Sequence, residues 1–97
     1  MATYFIISTK IDNQKDRRPY DEYIQKVKPI VESFGGKYIV RSENIAALSD
    51  SWQPNRVIII EFASKEQIEG WLSSKEYKEI EKLRINSVIS NAIIVES

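Results

Sequence analysis

The chain has 97 residues, enough for one modest hydrophobic core, and its 14 basic and 14 acidic side chains leave no formal net charge. This balance argues against nucleic acid or an anionic membrane surface as a partner, because neither would be attracted by the bulk charge. No apolar run is long enough to cross a bilayer, and the N-terminus does not have the pattern of a secretory signal. We therefore expect one domain over residues 1–97, located in the cytoplasm.

Two residue types are missing, and their absence removes whole classes of site. Without cysteine there is no disulfide, no thiolate nucleophile and no cysteine-based zinc or iron–sulfur site. Without histidine there is no His-assisted serine catalysis, and haem and metals lose their commonest ligand. Acid–base chemistry would have to use Asp, Glu, Lys, Tyr or water, and we expect neither a metal nor a bound cofactor.

The first half of the chain is predicted to form a strand, a helix and a second strand. Residues 3–11 are rich in the aromatic and β-branched side chains that are typical of strands. A helix begins near Pro19, because the N–H that proline lacks would be unpaired at the first helical position anyway. Its apolar residues recur every three or four positions as far as Phe34, and Gly35-Gly36 ends it. Residues 37–42 form the second strand.

A long connection separates this strand from the most apolar stretch of the sequence. The connection spans residues 43–55, and loops of such length in compact domains tend to be functional or mobile. Residues 56–62 follow, with the sequence Arg-Val-Ile-Ile-Ile-Glu-Phe. Their β-branched character predicts a buried central strand, interrupted by one acid, Glu61.

The remaining residues predict two helices and a fourth strand. Ser64 with Gln67 forms a capping box, which predicts a helix to about residue 72. Ser73 with Glu76 repeats this signal, so a second helix is expected to about residue 86. Residues 92–96 close the chain as the last strand.

This order of elements predicts an α+β fold of the ferredoxin-like βαββαβ type. Two right-handed split crossovers give an antiparallel sheet in the order 4-1-3-2, with the helices on one face. Residues 56–62 then form a central strand, in agreement with their apolar character.

Alternation along the strands predicts that both faces of the sheet carry apolar side chains. The helix-facing set is expected to be Phe5, Ile7, Tyr38, Val40, Ile58, Ile60, Phe62, Ile93 and Val95. The opposite set is Tyr4, Ile6, Ser8, Lys10, Lys37, Ile39, Arg41, Val57, Ile59, Glu61, Ala92, Ile94 and Glu96. A monomer would leave the aliphatic residues of the second set in water, and such a patch usually marks an interface. We therefore predict a homodimer joined sheet to sheet.

Stretches throughout the sequence resemble the DUF1330 family of the dimeric α/β-barrel superfamily. They are an early Tyr-Phe-Ile strand, Tyr20 and Tyr23, residues 34–41 (Phe-Gly-Gly-Lys-Tyr-Ile-Val-Arg), residues 52–64 (Trp-Gln-Pro-Asn-Arg-Val-Ile-Ile-Ile-Glu-Phe-Ala-Ser), Trp71, residues 74–77 (Ser-Lys-Glu-Tyr) and Arg84. The resemblance implies two ferredoxin-like subunits whose sheets face each other as a barrel. It implies no activity, because that family is one of unknown function.

Two charged residues are candidates for a site on the barrel-side face. Alternation places both Arg41 and Glu61 there, with Glu61 across from Lys37 and Arg41 across from Val57. On one interpretation Arg41 holds a carboxylate or enolate-like ligand and Glu61 is a base whose pKa is raised by burial. On the other, Glu61 pairs with Lys37, and Arg41 pairs with an acid of the second subunit.

Three further residues are ligand-binding candidates. Trp52, in the long connection, would form a pocket wall, or simply anchor its loop on the core or on the second subunit. Tyr23 would present a phenol as a weak acid, although its helical spacing equally predicts core packing. Arg84 would turn towards the end of the barrel, or serve as a cation near a helix C-terminus.

Two functions of different class remain open. One is a small cofactor-independent enzyme, such as an isomerase, lyase or monooxygenase-like catalyst, that acts on a small anionic molecule, an organic acid. The other is a non-catalytic ligand-binding or interaction dimer whose barrel is filled by its own side chains. A cavity of roughly a few hundred Å³ around Arg41 and Glu61 would favour the first, and a packed barrel centre would favour the second.

Overall fold

Four strands and three helices form the part of the chain that the computed structural model describes, residues 2–12 and 14–97. Their order is β1 (Thr3–Lys10), α1 (Arg18–Ser33), β2 (Lys37–Ser42), β3 (Arg56–Phe62), α2 (Lys65–Ser73), α3 (Lys75–Ile85) and β4 (Ile89–Glu96). The bounds of β2 and β3 are those predicted. The last strand begins three residues earlier than predicted, because Ile89 still pairs with Lys10.

The strands form one sheet in the order β2-β3-β1-β4, and all three neighbouring pairs are antiparallel. This confirms the predicted α+β architecture of the ferredoxin-like type and the predicted strand order. The two central strands supply Phe5, Ile7, Ile60 and Phe62 to the core, where the helices cover them.

The core is built around aromatic rings. The Trp71 ring lies 4.9 Å from Phe5, 5.9 Å from Phe62 and 5.1 Å from Tyr77, measured between centroids. Edge-to-face and offset contacts at these distances are the favourable ones for aromatic pairs. Helices α2 and α3 are therefore fixed on the sheet mainly by one buried tryptophan.

Serine hydroxyls cap the two later helices. The Ser64 Oγ accepts a hydrogen bond from the Gln67 amide at 3.3 Å, as the capping box predicts. The cap of α3 is Ser74, whose Oγ accepts from the Tyr77 amide at 3.2 Å, and not the predicted Ser73. The Ser73 side chain instead donates to the Glu69 carbonyl at 2.8 Å, because Ser73 is still part of α2.

Two glycines allow the chain to leave α1 and enter β2 in a small space. Gly35 has a φ of +87°, a conformation that side chains with a Cβ rarely adopt. A Cβ on Gly36 would lie 2.5 Å from the Val31 Cγ1 and 2.8 Å from the Phe62 ring. The predicted Gly-Gly terminator is therefore required for backbone conformation at one position and for packing at the next.

A β-bulge in β2 changes which face its later residues occupy. Tyr38 pairs with Ile60, but Val40 pairs with Ile59, so two residues of β2 oppose one of β3. Beyond the bulge Arg41 pairs with Ile58. The predictions that Val40 faces the helices and that Arg41 lies on the opposite face, across from Val57, are therefore wrong.

The alternation of β4 is also the reverse of the prediction. Ile94 pairs with Phe5 and packs on the core, while Ile93 pairs with Ile6 and is 59% exposed. Ile93 and Val95 are thus on the side away from the helices, and Ala92 and Ile94 are on the helix side. The pairing with β1 decides this register, since the run Ala-Ile-Ile-Val has no polar residue to mark a face.

We call the side of the sheet away from the helices the open face. Its residues are Tyr4, Ile6, Ser8, Lys10, Lys37, Ile39, Val40, Ser42, Val57, Ile59, Glu61, Ile89, Asn91, Ile93 and Val95. Apolar side chains dominate its middle, where Val40, Ile59, Ile6 and Ile93 follow one another across the four strands. The sequence correctly predicts an apolar second face, although its membership differs.

Candidate functional site

A small, partly open cavity lies between the helix side of the sheet and the helices. Its volume is about 20 Å³, room for about one water molecule. It is lined by Phe5, Ile7, Thr9, Tyr20, Tyr23, Val27, Tyr38, Ile58, Ile60, Trp71 and Arg84. Nine of these side chains are aliphatic or aromatic, so each polar group on this wall has a marked effect on what the cavity accepts.

Two tyrosines from different helices meet at this cavity. The Tyr23 and Tyr77 hydroxyls lie 3.0 Å apart, and both side chains are buried. Burial, and then the neighbouring Tyr77, raise the pKa of Tyr23 above its ordinary value. Tyr23 is therefore a neutral phenol at physiological pH, which makes it a hydrogen-bond donor or acid and not a base.

Arg84 brings a positive charge to the same place. Its guanidinium carbon lies 5.9 Å from the centroid of the Tyr23 ring, and its side chain is only 17% exposed. The nearest carboxylate is that of Glu81, at 3.9 Å. Tyr77 and Arg84 are seven residues apart on α3, two helical turns, so they share one face of that helix.

Two buried N–H donors at the cavity have no acceptor. Within the described residues, the Trp71 Nε1 and the Arg84 Nε are buried without a hydrogen-bond partner, as is the Arg56 Nε. Trp71 is 2% exposed. Buried polar groups without partners are uncommon, and the acceptor for these donors would be a water in the cavity or an oxygen of a ligand.

Arg41 and Glu61 do not lie together. Arg41 is on the helix side of the sheet, where its guanidinium carbon lies 5.3 Å from the Tyr38 ring, and burial raises the pKa of Tyr38 to about 12. Glu61 is on the open face, where Lys37 pairs with it and the Tyr4 hydroxyl donates to it at 3.5 Å. Glu61 lies across from Lys37 in the sheet, as the sequence predicts, but no ion pair joins the two side chains among the described residues. The bulge places Arg41 and Glu61 on opposite faces of the sheet in one subunit.

Trp52 lies on the open face, far from the cavity. Its indole N–H donates weakly to the Ser8 hydroxyl at 3.4 Å, and the Lys10 ammonium donates to the Gln53 carbonyl at 2.9 Å. Trp52 nevertheless remains 61% exposed. The connection is thus held on the sheet, while Trp52 lies in the wall of a groove and largely in water, so both roles of Trp52 considered from the sequence stay predictions.

A carboxylate at the start of this connection holds two arginines from other elements. Glu43 accepts from the Arg17 guanidinium at 2.8 and 2.5 Å and from the Arg56 Nη1 at 3.0 Å. The Arg17 hydrogen bonds hold the pKa of Glu43 below its usual value. Sequence reasoning missed this cluster, because its members lie 13 and 26 residues apart.

One known protein family matches nearly the whole chain. Residues 2–97 match the family described as a domain of unknown function, DUF1330. The chain belongs to the DUF1330 family. The resemblance inferred from the sequence is confirmed, and among curated proteins none matches this DUF1330 chain.

Solved structures similar to this DUF1330 protein support its fold. A protein of unknown function from Rhodopseudomonas palustris, RPA0582, has 18% identity and a TM-score of 0.82, covering 99% of this chain and 82% of that one. A dimeric ferredoxin-like protein of unknown function from Jannaschia sp. CCS1 has 8% identity and a TM-score of 0.80, with 100% of both chains covered. SnoaB, a cofactor-independent oxygenase from Streptomyces nogalater, has 7% identity and a TM-score of 0.72, covering 99% of this chain and 92% of that one.

The described residues of this DUF1330 protein contain neither a membrane-spanning helix nor a cluster suited to a metal ion. None of its helices is long and apolar enough to cross a membrane. Residues 2–12 and 14–97 contain no cluster of three or more acidic side chains placed to hold a metal ion. Of the five residues singled out in the sequence, the structure brings Tyr23 and Arg84 together at one cavity and places Trp52, Arg41 and Glu61 elsewhere.

Proposed function

We propose that this protein is a homodimer in which each subunit binds a small organic acid in the cavity between sheet and helices. Arg84 is the anchor for the anionic oxygen, and Tyr23 donates a second hydrogen bond. The aromatic and aliphatic wall accepts the hydrocarbon part of the ligand.

The observation that carries this proposal is the pair of unpartnered donors at the cavity. Trp71 Nε1 and Arg84 Nε are both buried N–H groups without an acceptor. A donor in this condition loses about 1–3 kcal/mol relative to one that is hydrogen-bonded, and a carboxylate would satisfy both donors. A bond to a charged partner is also stronger than one between neutral groups.

The size of the cavity implies that a side chain moves when the ligand enters. A volume of about 20 Å³ holds one water and no organic acid. Arg84 is the mobile candidate, because it is unbranched, partly exposed and 3.9 Å from its only nearby carboxylate. A shift of its aliphatic stem would enlarge the cavity at the end of α3 while its guanidinium stays beside the ligand.

The cavity supports charge stabilisation better than base catalysis. No aspartate or glutamate is among the described residues that line it, and the raised pKa of Tyr23 keeps that phenol protonated. Glu61, the base considered from the sequence, is on the other side of the sheet. Any reaction here would therefore be one in which donors stabilise negative charge on an oxygen. The likeness to SnoaB, at 7% identity, supports the fold alone and adds no oxygenase chemistry.

The open face supports the homodimer. Ile93 is 59% exposed and Val40 37%, next to the partly buried Ile6 and Ile59. Burial of aliphatic side chains contributes about 1.5–3 kcal/mol each, so covering this face would drive association. A ferredoxin-like neighbour from Jannaschia sp. is described as dimeric.

A second candidate function is a dimer with no ligand in its subunits. The observation in its favour is the size of the cavity, which a single water fills. In that case Tyr23, Tyr77 and Arg84 only stabilise the packing of α1 against α3.

Thermal denaturation with a panel of small aliphatic and aromatic carboxylates separates the two candidates. A ligand present at about 100 times its Kd adds ~2.7 kcal/mol of stability, which for a domain of this size raises Tm by roughly 10 °C or more. We expect a shift of this kind with the wild-type protein and at least one acid.

Two matched variants then locate the site. Arg84→Met should reduce the shift to about half or less, whereas Arg41→Met, the same change on the same side of the sheet, should retain it. Loss of a hydrogen bond to a charged group costs about 1.5–3 kcal/mol, or roughly a tenfold to hundredfold weaker Kd. A shift that survives in Arg84→Met but not in Arg41→Met would overturn this site, and no shift with any acid would favour the second candidate.

A further inference from the structure

The connection between β2 and β3, residues 43–55, folds back over the open face; we call it the arm. A short bridge between Ser49 and Trp52 forms its tip. Its end is fixed to β1, because the Asn55 amide donates to the Thr9 carbonyl at 2.8 Å and the Ile11 amide donates to the Asn55 side chain at 2.6 Å. The arm is therefore a held structure with a defined position on the sheet.

The arm covers only one end of the open face. Under it lies a groove of about 340 Å³, whose wall includes Ser8, Lys10, Ile89 and Asn91. Ser8 is 9% exposed although it belongs to the open face, because the arm lies over it. The rest of the face, from Ile6, Ile59 and Ile93 in its middle to the far end, is left uncovered.

The outer side of the arm is itself apolar. Residues 44–49 have the sequence Asn-Ile-Ala-Ala-Leu-Ser, without a charge, and Leu48 is 100% exposed. Within the described residues the exposed large apolar side chains are Ile39, Val40, Leu48, Trp52, Ile85, Ile89, Ile93 and Val95. All of them except Ile85 belong to the arm or to the open face, so they lie on the same side of the molecule. Such a surface marks an interface.

We propose that the arm is part of the homodimer interface and packs against the second subunit, with Leu48 as its main contact. This inference rests on the homodimer proposed above. A second sheet can stack directly only on the part of the open face that the arm does not cover. The arm of each subunit then lies beside the approaching sheet, and the twofold symmetry of a homodimer uses this contact twice.

The composition of the surface favours a second copy of this chain over a different partner. A twofold interface must be complementary to itself, and an apolar surface with few charges meets this condition without like-charge repulsion. The middle of the open face consists of aliphatic residues in all four strands. The exposed arm residues from 44 to 49 are uncharged as well.

The test compares Leu48→Ser with Ile85→Ser by analytical ultracentrifugation over a range of concentrations. Ile85 is the matched control, because it is an exposed aliphatic residue, 57% accessible, on α3 in the helix layer. Leu48→Ser should raise the dimer dissociation constant roughly a hundredfold, since the side chain is lost twice in each dimer. Ile85→Ser should leave it unchanged, and circular dichroism should show both variants folded.

Failure of the arm and failure of the dimer give different results. If the wild-type protein is a dimer and Leu48→Ser has the same dissociation constant, the arm proposal is wrong and the homodimer stands. If the wild-type protein is a monomer at every concentration, both are wrong.

A spin label gives an independent measurement. The chain has no cysteine, so Leu48→Cys provides a single labelling site in the full-length protein. When the labelled variant is mixed with an excess of wild-type protein, the mobility of the label should be restricted in the dimer. On dilution to monomer the label should become freely mobile. Equal mobility in both states would overturn the contact.

Discussion

At the scale of single residues, Glu43 connects three parts of the chain. It accepts hydrogen bonds from Arg17, just before α1, and from Arg56, at the start of β3. The Arg56 side chain is 9% exposed, so the carboxylate of Glu43 compensates a largely buried positive charge. The Glu43 side chain is itself 38% exposed, so water screens the interaction. The contribution of Glu43 is therefore smaller than that of a fully buried pair.

We predict that Glu43→Gln lowers the free energy of unfolding by about 1 kcal/mol at pH 7. Arg17 lowers the folded-state pKa of Glu43, so the stabilisation is present above the unfolded-state pKa and is lost as pH falls through the folded-state value. Urea unfolding of both proteins between pH 7 and pH 3 should show the difference shrinking towards the acid end. Glu22→Gln, which removes an exposed pair with Lys26, should have almost no effect. A difference that does not change with pH would contradict this role for Glu43.

At the scale of elements, the boundary between α2 and α3 depends on one serine. Ser74 caps α3 through the Tyr77 amide, and its own hydroxyl donates to the Trp71 carbonyl at 2.7 Å. Ser73, its neighbour, lies inside α2 and is exposed.

We predict that Ser74→Ala lowers the free energy of unfolding by about 1 kcal/mol, while Ser73→Ala changes it by less than about half of that. Chemical denaturation of the two variants measures both values on the same scale. Equal losses, or a larger loss at Ser73, would show that the cap is at the position predicted from the sequence and not at Ser74.

The sequence predicts the elements well and the faces less well, for a physical reason. Helix and strand periods, caps and the Gly-Gly terminator are local signals, so the element order and the strand order follow from them. The face of a strand depends on its register with a neighbour, and neither the bulge at β2 nor the uniformly apolar β4 shows that register in its own residues. For this reason the sequence alone predicts the wrong face of the sheet for Arg41.

The sequence does not predict the cavity for a similar reason, because its residues come from elements that are distant in the chain. Tyr23 and Arg84 are both candidates from the sequence, but they are 61 positions apart, so the sequence does not show their contact. The two-turn spacing of Tyr77 and Arg84 on one helix face was the available signal. Nothing local to the sequence marks Trp71 Nε1 as a donor without an acceptor, because that depends on packing by several elements.

At the scale of the whole molecule, the apolar open face leads us to expect a dimer, which a single charge introduced on this face should disrupt. Ile59 lies on a central strand with Ile6 and Val40 as its neighbours across the sheet. Ile59→Asp would bury an unpaired carboxylate in each half of the interface, which costs several kcal/mol per ion. Light scattering should give a dimer mass for the wild-type protein and a monomer mass for the variant.

Ile85→Asp is the control for this change, because it adds the same charge in the helix layer. If Ile59→Asp does not fold, Ile59→Ser at the same position should still weaken the dimer. A stable dimer with either Ile59 variant would show that the subunits associate through another surface.

The bulge at Ile39 and Val40 decides which layer Arg41 faces. Counted by simple alternation from Tyr38, Arg41 would lie on the open face, but the extra residue moves it to the helix side, opposite Ile58. In the homodimer proposed above, that one residue keeps two arginines, one from each subunit, out of the interface. The irregularity of β2 is thus what leaves the middle of this face free of positive charge.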